Sequence, residues 1–419
     1  MKTIGIIAEF NPFHKGHLHL IEQCKKDLKA DRVVVIMSGD YVQRGAPAII
    51  DKFTRAKMAL SCGADIVFEL PIYYSLGSAE YFAGGAVSIL DSLGCIDYLC
   101  FGSESGDIKP LIQIAQVLAY EPEDFKTALS DELRSGQSFA KARQNALLSV
   151  LSKSSEQSNI VSLLSSPNNI LAIEYIKALI ARNSSIVPFT IKRIGEGYNS
   201  SRKSEFSSAS AIRDFIIASV SDNISDKKDI FANNPDLIVS SLPDICTEYI
   251  DNYPNVFATT DACSELLLYK LILEKSCGFS KYLDVTDDLS HKIIAALDDY
   301  SSFDDLCSNL KSKEIAYSRI SRALMHILLN ITSEKMSLFK EDNYTGYARI
   351  LGAKKTSSDL IKAVRSSASV PVIGNLKEAN SLTGLQKELF DSTLLSSSIY
   401  TGLFFKSTVN EFRQPLILM

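Results

Sequence analysis

Two histidines at the start of a predicted helix are the side chains best suited to chemistry. Residues 3–8 form a short apolar run typical of a buried strand, and a glycine-containing turn follows it directly. His14 and His17 lie three residues apart across this turn, so both can contact one anion. Lys15 adds a positive charge, and Gly16 allows the backbone to approach a ligand closely. Because a helix N-terminus attracts phosphate, the turn predicts a phosphate-binding site.

Nucleotidyl transfer would suit such a turn, because the protein must mainly stabilise negative charge on the α-phosphate and the leaving pyrophosphate. Two other interpretations of the histidine pair stay open. The rings could cap the helix, although the preceding strand and the Asn11-Pro12 step favour the phosphate site. They could also bind a metal ion, but no Cys lies nearby, and the spacing of the other histidines is not that of metal ligands: His19, His291 and His326.

A serine-rich segment far downstream has the same preference for phosphate. Residues 207–213 read Ser-Ser-Ala-Ser-Ala-Ile-Arg and begin a predicted helix. Their hydroxyl and N–H groups can hold the β- and γ-phosphates, and the guanidinium of Arg213 can bind the charge that develops on pyrophosphate. Taken alone, the segment is a common helix cap with a solvated arginine. Together with the first turn, it predicts three catalytic residues: His14, His17 and Arg213.

The elements that must position these residues alternate along the chain. Short apolar runs rich in Ile and Val predict strands at 3–8, 32–37, 66–70 and 98–101, and a last strand is predicted at 189–193. Helical patterns between them predict helices at 16–28, 52–61, 79–93 and 168–179. This alternation predicts an α/β fold with a Rossmann-like, doubly wound parallel sheet. Ligands bind such sheets beyond the carboxyl ends of the strands, which is where the histidine turn falls.

The length of 419 residues exceeds what one hydrophobic core usually holds, so we expect two domains. We predict domain 1–220, which carries both phosphate motifs, and domain 221–419, which is mainly α-helical. The net charge of −5 does not indicate nucleic-acid binding by itself. A basic surplus in residues 300–419, after the acidic segment 222–299, would permit an RNA-facing surface at the C-terminal end.

The cellular compartment is predicted from what the sequence lacks. The eight cysteines are scattered without a C-x-x-C pair, so we expect reduced thiols and no structural zinc. Neither a long apolar segment nor a signal-peptide pattern occurs. We therefore expect a cytoplasmic protein without a membrane segment.

Several motifs beyond the histidine turn occur in one order along the chain. They are NPFHKGH at 11–17, SGDYVQRG at 38–45, DKFTRA at 51–56, ELP at 69–71, SAEYF at 78–82, FGSE at 101–104 and SASAIR at 208–213. Together they resemble the bacterial tRNA(Met) cytidine acetate ligase family of the HIGH-motif nucleotidylyltransferase superfamily. The resemblance covers most of residues 1–215. It is weaker in the C-terminal half, where RILG at 349–352 matches.

This resemblance implies a two-step reaction. Acetate and ATP would give acetyl-adenylate and pyrophosphate, and the acetyl group would then pass to N4 of the wobble cytidine of elongator tRNA(Met). ATP would be a co-substrate accompanied by Mg²⁺, and the C-terminal domain would bind the tRNA. No obligate protein partner is implied. Basic residues of the C-terminal part, such as Lys354 and Lys355, are candidates for salt-sensitive tRNA binding.

The resemblance also places ATP on two groups of residues. The first group follows strand 3–8: Ile7, Ala8, Glu9, Phe10, Asn11, Pro12, Phe13, His14, Lys15, Gly16, His17, Leu18, His19 and Leu20. The second group comes from later turns: Gly102, Asn168 or Asn169, Arg193, Ile194, Ser208 and Ser210. Glu9 and Glu104 are candidates for positioning Mg²⁺ beside the triphosphate.

Charged and polar residues after the second predicted strand face the same edge of the sheet. We consider them candidates for contacts with acetate or tRNA, with solvated ion pairs as the alternative: Asp40, Gln43, Arg44, Lys52 and Arg55. No protein ligand set for a metal emerges from the sequence.

Two other functions compete with the acetate ligase. An adenylyltransferase acting on a small phosphorylated substrate would need little beyond the N-terminal sheet domain, whereas about 200 further residues here suggest a large second substrate. A catalytically idle RNA-binding protein would not need His14, His17 and Arg213.

Overall fold

The computed structural model describes residues 1–151, 157–194, 207–221, 239–312, 315–405 and 411–419. Its main sheet has eight strands in the order β10-β8-β5-β2-β1-β6-β7, with β9 paired to β8, and a separate hairpin joins β3 to β4. The strands are β1 (Thr3–Ala8), β2 (Arg32–Ser38), β3 (Tyr41–Val42), β4 (Ala46–Pro47), β5 (Ile66–Leu70), β6 (Tyr98–Ser103), β7 (Val187–Lys192), β8 (Ala348–Ala353), β9 (Val372–Ile373) and β10 (Ile417–Leu418).

Helices cover the sheet and form most of the described C-terminal half. Those before residue 222 are α1 (Lys15–Leu28), α2 (Lys52–Ser61), α3 (Ile72–Ser75), α4 (Ala79–Ser92), α5 (Ile108–Tyr120), α6 (Glu123–Arg134), α7 (Phe139–Leu151), α8 (Gln157–Ser165), α9 (Pro167–Ala181) and α10 (Ala209–Ser221). Those after residue 238 are α11 (Asp244–Asp251), α12 (Ser264–Glu274), α13 (Asp287–Ala295), α14 (Phe303–Leu310), α15 (Tyr317–Leu328), α16 (Ser333–Glu341), α17 (Ser358–Ser367) and α18 (Gly384–Phe404).

Both faces of the central strands are buried, which explains their continuous apolar sequences. Along β2, Val33 and Val35 pack in one core with α1 and α2, whereas Val34 and Ile36 pack in the core on the opposite face with α4 and α9. Successive side chains of a strand point to opposite faces, so an unbroken Val-Ile run must be covered twice. The predicted doubly wound sheet is confirmed, and β1 pairs in parallel with both β2 and β6.

Strands from the C-terminal half complete this sheet. β8 pairs antiparallel with β5, and it is joined by β9 and β10. The sequence had indicated β8 only as the motif RILG. The division into domains 1–220 and 221–419 stays a prediction, because residues 222–238 around it lie outside the described part of the chain. Both halves nevertheless contribute strands to one sheet.

The antiparallel direction of β8 separates the predicted tRNA contacts from the carboxyl edge of the sheet. Ala353 pairs with Ile66 at the start of β5, and the backbone N–H of Lys354 donates to Asp65 O. Lys354 and Lys355 therefore lie at the edge opposite the ends of β1 and β2. Within the described residues, none of the helices has the length and apolarity needed to cross a membrane.

A buried group of charges ties β8 to the N-terminal strands. Lys52 Nζ lies 2.7 Å from Glu69 Oε1 and 3.3 Å from Asp40 Oδ2, and it also contacts Glu411. Arg349 Nη1 lies 2.7 Å from Glu69 Oε2 and 2.7 Å from Glu411 Oε1. These opposite charges overcome burial, raising the pKa of Lys52 and lowering that of Glu411 to about 2. The charges keep one another ionised in the interior.

We predict that Arg349→Met lowers the free energy of unfolding by about 3 kcal/mol, because it leaves the carboxylates of Glu69 and Glu411 with one cation fewer in the interior. The matched control is Arg365→Met, which removes an exposed ion pair with Glu378 and should cost less than about 1 kcal/mol. Urea denaturation of both variants measures the difference. Equal losses would contradict the assigned role of the buried group.

Candidate active site

The histidine turn connects the end of β1 to the start of α1. His14 is the N-cap residue of α1, with an extended backbone (φ −142°, ψ 171°). Its Nδ1 accepts a hydrogen bond from Gly16 N at 3.0 Å, and His17 Nδ1 accepts one from His14 N at 3.2 Å. The two rings therefore cap the helix reciprocally, so the capping interpretation of the pair is correct for their Nδ1 atoms.

These backbone bonds also determine the tautomer of each ring. A nitrogen that accepts an N–H hydrogen bond carries no proton, so both neutral rings carry their proton on Nε2. Burial, together with the nearby guanidinium of Arg193, lowers the pKa of His14 to about 3. Burial, His14 and Arg193 lower the pKa of His17 well below its ordinary value. Both imidazoles are thus neutral N–H donors at physiological pH.

Packing holds the rings of His14 and His17 in a fixed stacked arrangement. Their centroids are 3.7 Å apart and the planes are inclined by 23°, which is a stacked arrangement. Phe10 lies edge-on to His17 with centroids 4.8 Å apart, and Phe13 lies 5.5 Å from the same ring. A Cβ atom on Gly16 would lie 2.8 Å from His14 Cε1, so a larger residue there would displace the imidazole. The turn therefore requires glycine at position 16, because the ring of His14 occupies the space that a side chain there would need.

A cleft of about 450 Å³ opens in front of the histidines. Its walls come from the start of α1, the ends of β6 and β7, the start of α9 and the residues before α10. The lining residues are His14, Gly16, His17, His19, Leu20, Gly102, Glu104, Asn168, Ile191, Lys192, Arg193, Ile194, Ser207 and Ser208. The cleft therefore lies at the carboxyl edge of the parallel strands, as the fold predicts.

Glu104 organises the α9 wall of the cleft. Its Oε1 accepts from the backbone N and the Nδ2 of Asn168, at 3.2 and 2.7 Å, and its Oε2 accepts from Asn169 N at 2.8 Å. Asn169 Oδ1 in return accepts from Glu104 N at 3.0 Å. The buried Asn169 thus anchors the loop after β6, whereas Asn168 lines the cleft.

α10 brings the second motif against the histidine turn. Ser208 Oγ accepts from Ala211 N at 3.2 Å and caps the helix start. Arg213 Nη1 donates to Asn11 O at 2.8 Å, and its Nη2 donates to Ser210 Oγ at 3.1 Å. Arg44, at the tip of the β3–β4 hairpin, approaches the same Ser210 hydroxyl at 3.4 Å. The structure therefore places Arg213 beside the histidine turn although about 200 residues separate them in the sequence.

Three of the five residues considered for acetate or tRNA contacts are buried. Arg55 donates to the carbonyl oxygens of Glu9, Ser38 and Ile50, at 2.6, 3.1 and 2.8 Å, and also contacts that of Gly39. It stabilises the backbone where β1 and β2 end. Lys52 and Asp40 belong to the buried charge group. Arg44 is exposed and Gln43 is half-buried, so these two are the accessible members of the set.

Ten of the predicted ATP contacts line the cleft: His14, Gly16, His17, His19, Leu20, Gly102, Asn168, Arg193, Ile194 and Ser208. The others lie behind or beside it: Ile7, Ala8, Glu9, Phe10, Asn11, Pro12, Phe13, Lys15, Leu18, Asn169 and Ser210. Phe10 and Phe13, for example, support the His17 ring from the core. Direct contact with nucleotide stays a prediction for all of them.

Sequence reasoning missed four lining residues as nucleotide contacts: Glu104, Ile191, Lys192 and Ser207. Lys192 and Ser207 directly precede predicted contacts in the chain. Their positions at the end of β7 and just before α10 could therefore have identified them. Glu104 had been considered for Mg²⁺, but its two oxygens hold the start of α9. Glu9 Oε1 accepts from Gln43 N at 3.0 Å. Both oxygens of Glu104 and one oxygen of Glu9 are therefore engaged, and the described residues contain no group of three potential metal ligands, so the geometry adds no support for Mg²⁺ positioning by these carboxylates.

Comparisons with known proteins agree with this geometry. The sequence model of the HIGH nucleotidyl transferases matches residues 1–414. The chain is 37% identical to the tRNA(Met) cytidine acetate ligase of Acetivibrio thermocellus over the whole of both chains, and 41% identical to that of Clostridium kluyveri over 92% of each. The crystal structure of Thermotoga maritima TmcAL bound with alpha-thio ATP superposes with a TM-score of 0.89, at 29% identity and over all of both chains.

The fold and the site thus define a HIGH nucleotidyl transferase. Within that class, the chain belongs to the tRNA(Met) cytidine acetate ligase family. The family resemblance of the sequence motifs is confirmed over the full length, including the C-terminal half where few motifs were recognised.

We predict that ¹⁵N NMR of histidine-labelled protein shows His14 and His17 as neutral Nε2–H tautomers that stay unprotonated from pH 8 to pH 5. Their lowered pKa values mean that the unfolded chain binds these protons near pH 6.5 and the folded chain does not. Their contribution therefore destabilises the fold as pH falls below about 6.5. Protonation of either ring near pH 6.5, or an Nδ1–H tautomer, would contradict the assignment.

Proposed function

We propose that this chain is an ATP-dependent ligase that activates acetate as acetyl-adenylate and transfers the acetyl group to N4 of the wobble cytidine of elongator tRNA(Met). Full-length similarity to tRNA(Met) cytidine acetate ligases supports the assignment. The structural observation that carries it is the stacked pair of neutral imidazoles, His14 and His17, which line the cleft. ATP as co-substrate is further supported by the ATP analogue bound to the similar Thermotoga protein.

ATP would bind with its α-phosphate at the histidine pair. Neutral Nε2–H donors stabilise a phosphate oxyanion without the cost of burying an imidazolium. The positive end of the α1 helix dipole and the nearby guanidinium of Arg193 add positive potential. Gly102, Asn168, Arg193 and Ile194 would surround the nucleoside part, and Ser208 would hold phosphate at the start of α10.

Adenylation then needs no covalent enzyme intermediate. A carboxylate oxygen of acetate attacks the α-phosphorus, a new O–P bond forms, and the bond to pyrophosphate breaks in line with it. Arg213 would stabilise the charge on the leaving pyrophosphate, and the accessible Arg44 is a candidate for attracting acetate. Mg²⁺ would travel with the triphosphate, held by phosphate oxygens and water, because the described residues contain no group of three potential metal ligands.

The tRNA would reach the cleft from its open side. Lys192 is exposed where β7 ends at the cleft, and Arg44 is exposed on the hairpin. Lys354 and Lys355 lie at the opposite edge of the sheet, so we assign the phosphate contacts nearest the wobble nucleotide to the first pair. Because its substrate is tRNA, we place the enzyme in the cytoplasm.

We predict that His14→Ala and His17→Ala each reduce acetate-dependent pyrophosphate release by about 100-fold or more, because each removes one donor from the charge that develops at phosphorus. The matched control is His291→Ala, since His291 lies on α13 and does not line the cleft. Pyrophosphate release is measured with ATP while acetate and tRNA are varied. Unchanged kinetics in both cleft variants would refute the role of the pair, and release that needs a phosphorylated small molecule would favour the adenylyltransferase alternative.

We predict that Lys192→Gln weakens tRNA binding and lowers its salt dependence by about one phosphate contact. Lys355→Gln is the matched control, because this exposed lysine lies at the opposite edge of the sheet. Filter binding of tRNA(Met) over a range of salt concentrations measures both. A larger effect from Lys355→Gln would place the tRNA on the other edge.

A further inference from the structure

The acetyl-transfer step, which rests on the function proposed above, needs a proton acceptor. The exocyclic amine of cytosine is a weak nucleophile and must lose a proton as its new bond to the acyl carbon forms. In an acyl-adenylate, that carbon is joined to the α-phosphorus through one oxygen. The acceptor must therefore lie close to the turn that holds the α-phosphate.

The two catalytic histidines do not suit this task. Their Nδ1 atoms already accept backbone hydrogen bonds, and their Nε2 atoms already carry a proton. Their lowered pKa values make them poor proton acceptors. They are suited to donate hydrogen bonds in both half-reactions.

Most carboxylates around the cleft are also occupied. Glu104 accepts three hydrogen bonds at the start of α9. Asp40 is buried beside Lys52. Asp214 follows Arg213 on α10 but is exposed to solvent. Each of these groups lacks a free oxygen, a protected position at the turn, or both.

Glu9 has both. It is the first residue after β1, and the next residue, Phe10, packs against the ring of His17 with centroids 4.8 Å apart. Its Oε1 accepts from Gln43 N at 3.0 Å, which fixes the side chain between the turn and the β3–β4 hairpin. No other hydrogen bond to its carboxylate occurs within the described residues, so Oε2 is free to accept a proton.

Charged and titratable groups face Glu9 from four elements: Arg213 on α10, Arg44 on the hairpin, Arg55 on α2 and Tyr175 on α9. Burial nevertheless raises the pKa of Glu9 above its ordinary value, because the loss of solvation outweighs the hydrogen bond from Gln43 and the arginine charges. A raised pKa makes a carboxylate a stronger proton acceptor. The arginines on either side also attract a substrate phosphate or carboxylate towards this position.

We propose that Glu9 is the general base of acetyl transfer. Its Oε2 takes a proton from N4 of the cytidine while N4 forms a bond to the acyl carbon. The bond between that carbon and the phosphate oxygen breaks, and AMP leaves with the electron pair as a phosphate oxyanion that His14 and His17 stabilise. Glu9 then returns the proton to solvent. N4-acetylcytidine and AMP are the products.

Glu9→Gln tests this role, because a glutamine oxygen can still accept the hydrogen bond from Gln43 N while the side chain cannot take a proton. Two steps are measured separately on the full-length enzyme: acetate-dependent exchange between ATP and pyrophosphate, and single-turnover transfer of labelled acetyl from the adenylate to tRNA(Met). We expect transfer to be reduced by about 100-fold or more, and by far more than exchange. The pH profile of transfer should lose its acidic limb. Glu123→Gln, an exposed carboxylate on α6, is the matched control and should change neither step.

Equal loss of exchange and transfer in Glu9→Gln would overturn the proposal, as would transfer at the unmodified rate. His19 also lines the cleft, so His19→Gln is measured in parallel, and loss of the acidic limb in that variant alone would make His19 the base instead. Absence of acetate-dependent exchange or of acetyl transfer in the unmodified enzyme would refute the proposed function itself. The two failures are therefore distinguishable.

Discussion

The site depends on two hydrogen bonds from backbone N–H groups to imidazole Nδ1 atoms. These bonds hold the rings of His14 and His17 stacked at the start of α1 and fix their protons on Nε2. Because the rings are buried beside Arg193, they stay neutral, and a phosphate oxygen is a suitable acceptor for their Nε2–H groups. The local sequence follows from this constraint. Gly16 leaves room for the ring of His14, and Phe10 supports the ring of His17 from the core.

The rest of the fold keeps the turn in place. Arg55 binds the carbonyl groups where β1 and β2 end, and Arg213 holds the carbonyl of Asn11 from α10. The buried group formed around Lys52 and Arg349 attaches the C-terminal strand β8 to the same edge. The C-terminal half is therefore part of the structural support for the catalytic edge. This agrees with a family match that runs through almost the whole chain.

Much of this arrangement could be predicted from the sequence, because it arises from local patterns. Short apolar runs predicted four of the five parallel strands, the helical segments between them placed the fifth, β7, and the predicted start and end of α2 match the observed helix Lys52–Ser61. The histidine turn was recognisable because a strand precedes it and a helix follows it. Of the predicted cleft residues, those that line the cavity include His14, Gly16 and His17 at the start of α1 and Gly102, Arg193 and Ile194 near the ends of β6 and β7.

The remainder depended on contacts between distant residues. β8 contains an arginine, which is unusual in a buried strand, and its ion pairs with Glu69 and Glu411 explain why it lies there. Neighbouring asparagines could not be distinguished by sequence, but Glu104 turns Asn169 inward and leaves Asn168 at the cleft. Charged residues such as Lys52 and Arg55 resembled solvated loop residues, although the ends of the strands need them as buried donors and counter-ions.

The central claim is that two neutral imidazoles at the carboxyl edge of the sheet bind the α-phosphate of ATP. A crystal structure of the protein with a non-hydrolysable ATP analogue measures this directly. We expect an α-phosphate oxygen within about 3 Å of the Nε2 atoms of His14 and His17, which is the ordinary length of such a hydrogen bond. A triphosphate bound away from these rings, or contacts made through protonated Nδ1 atoms, would contradict the account.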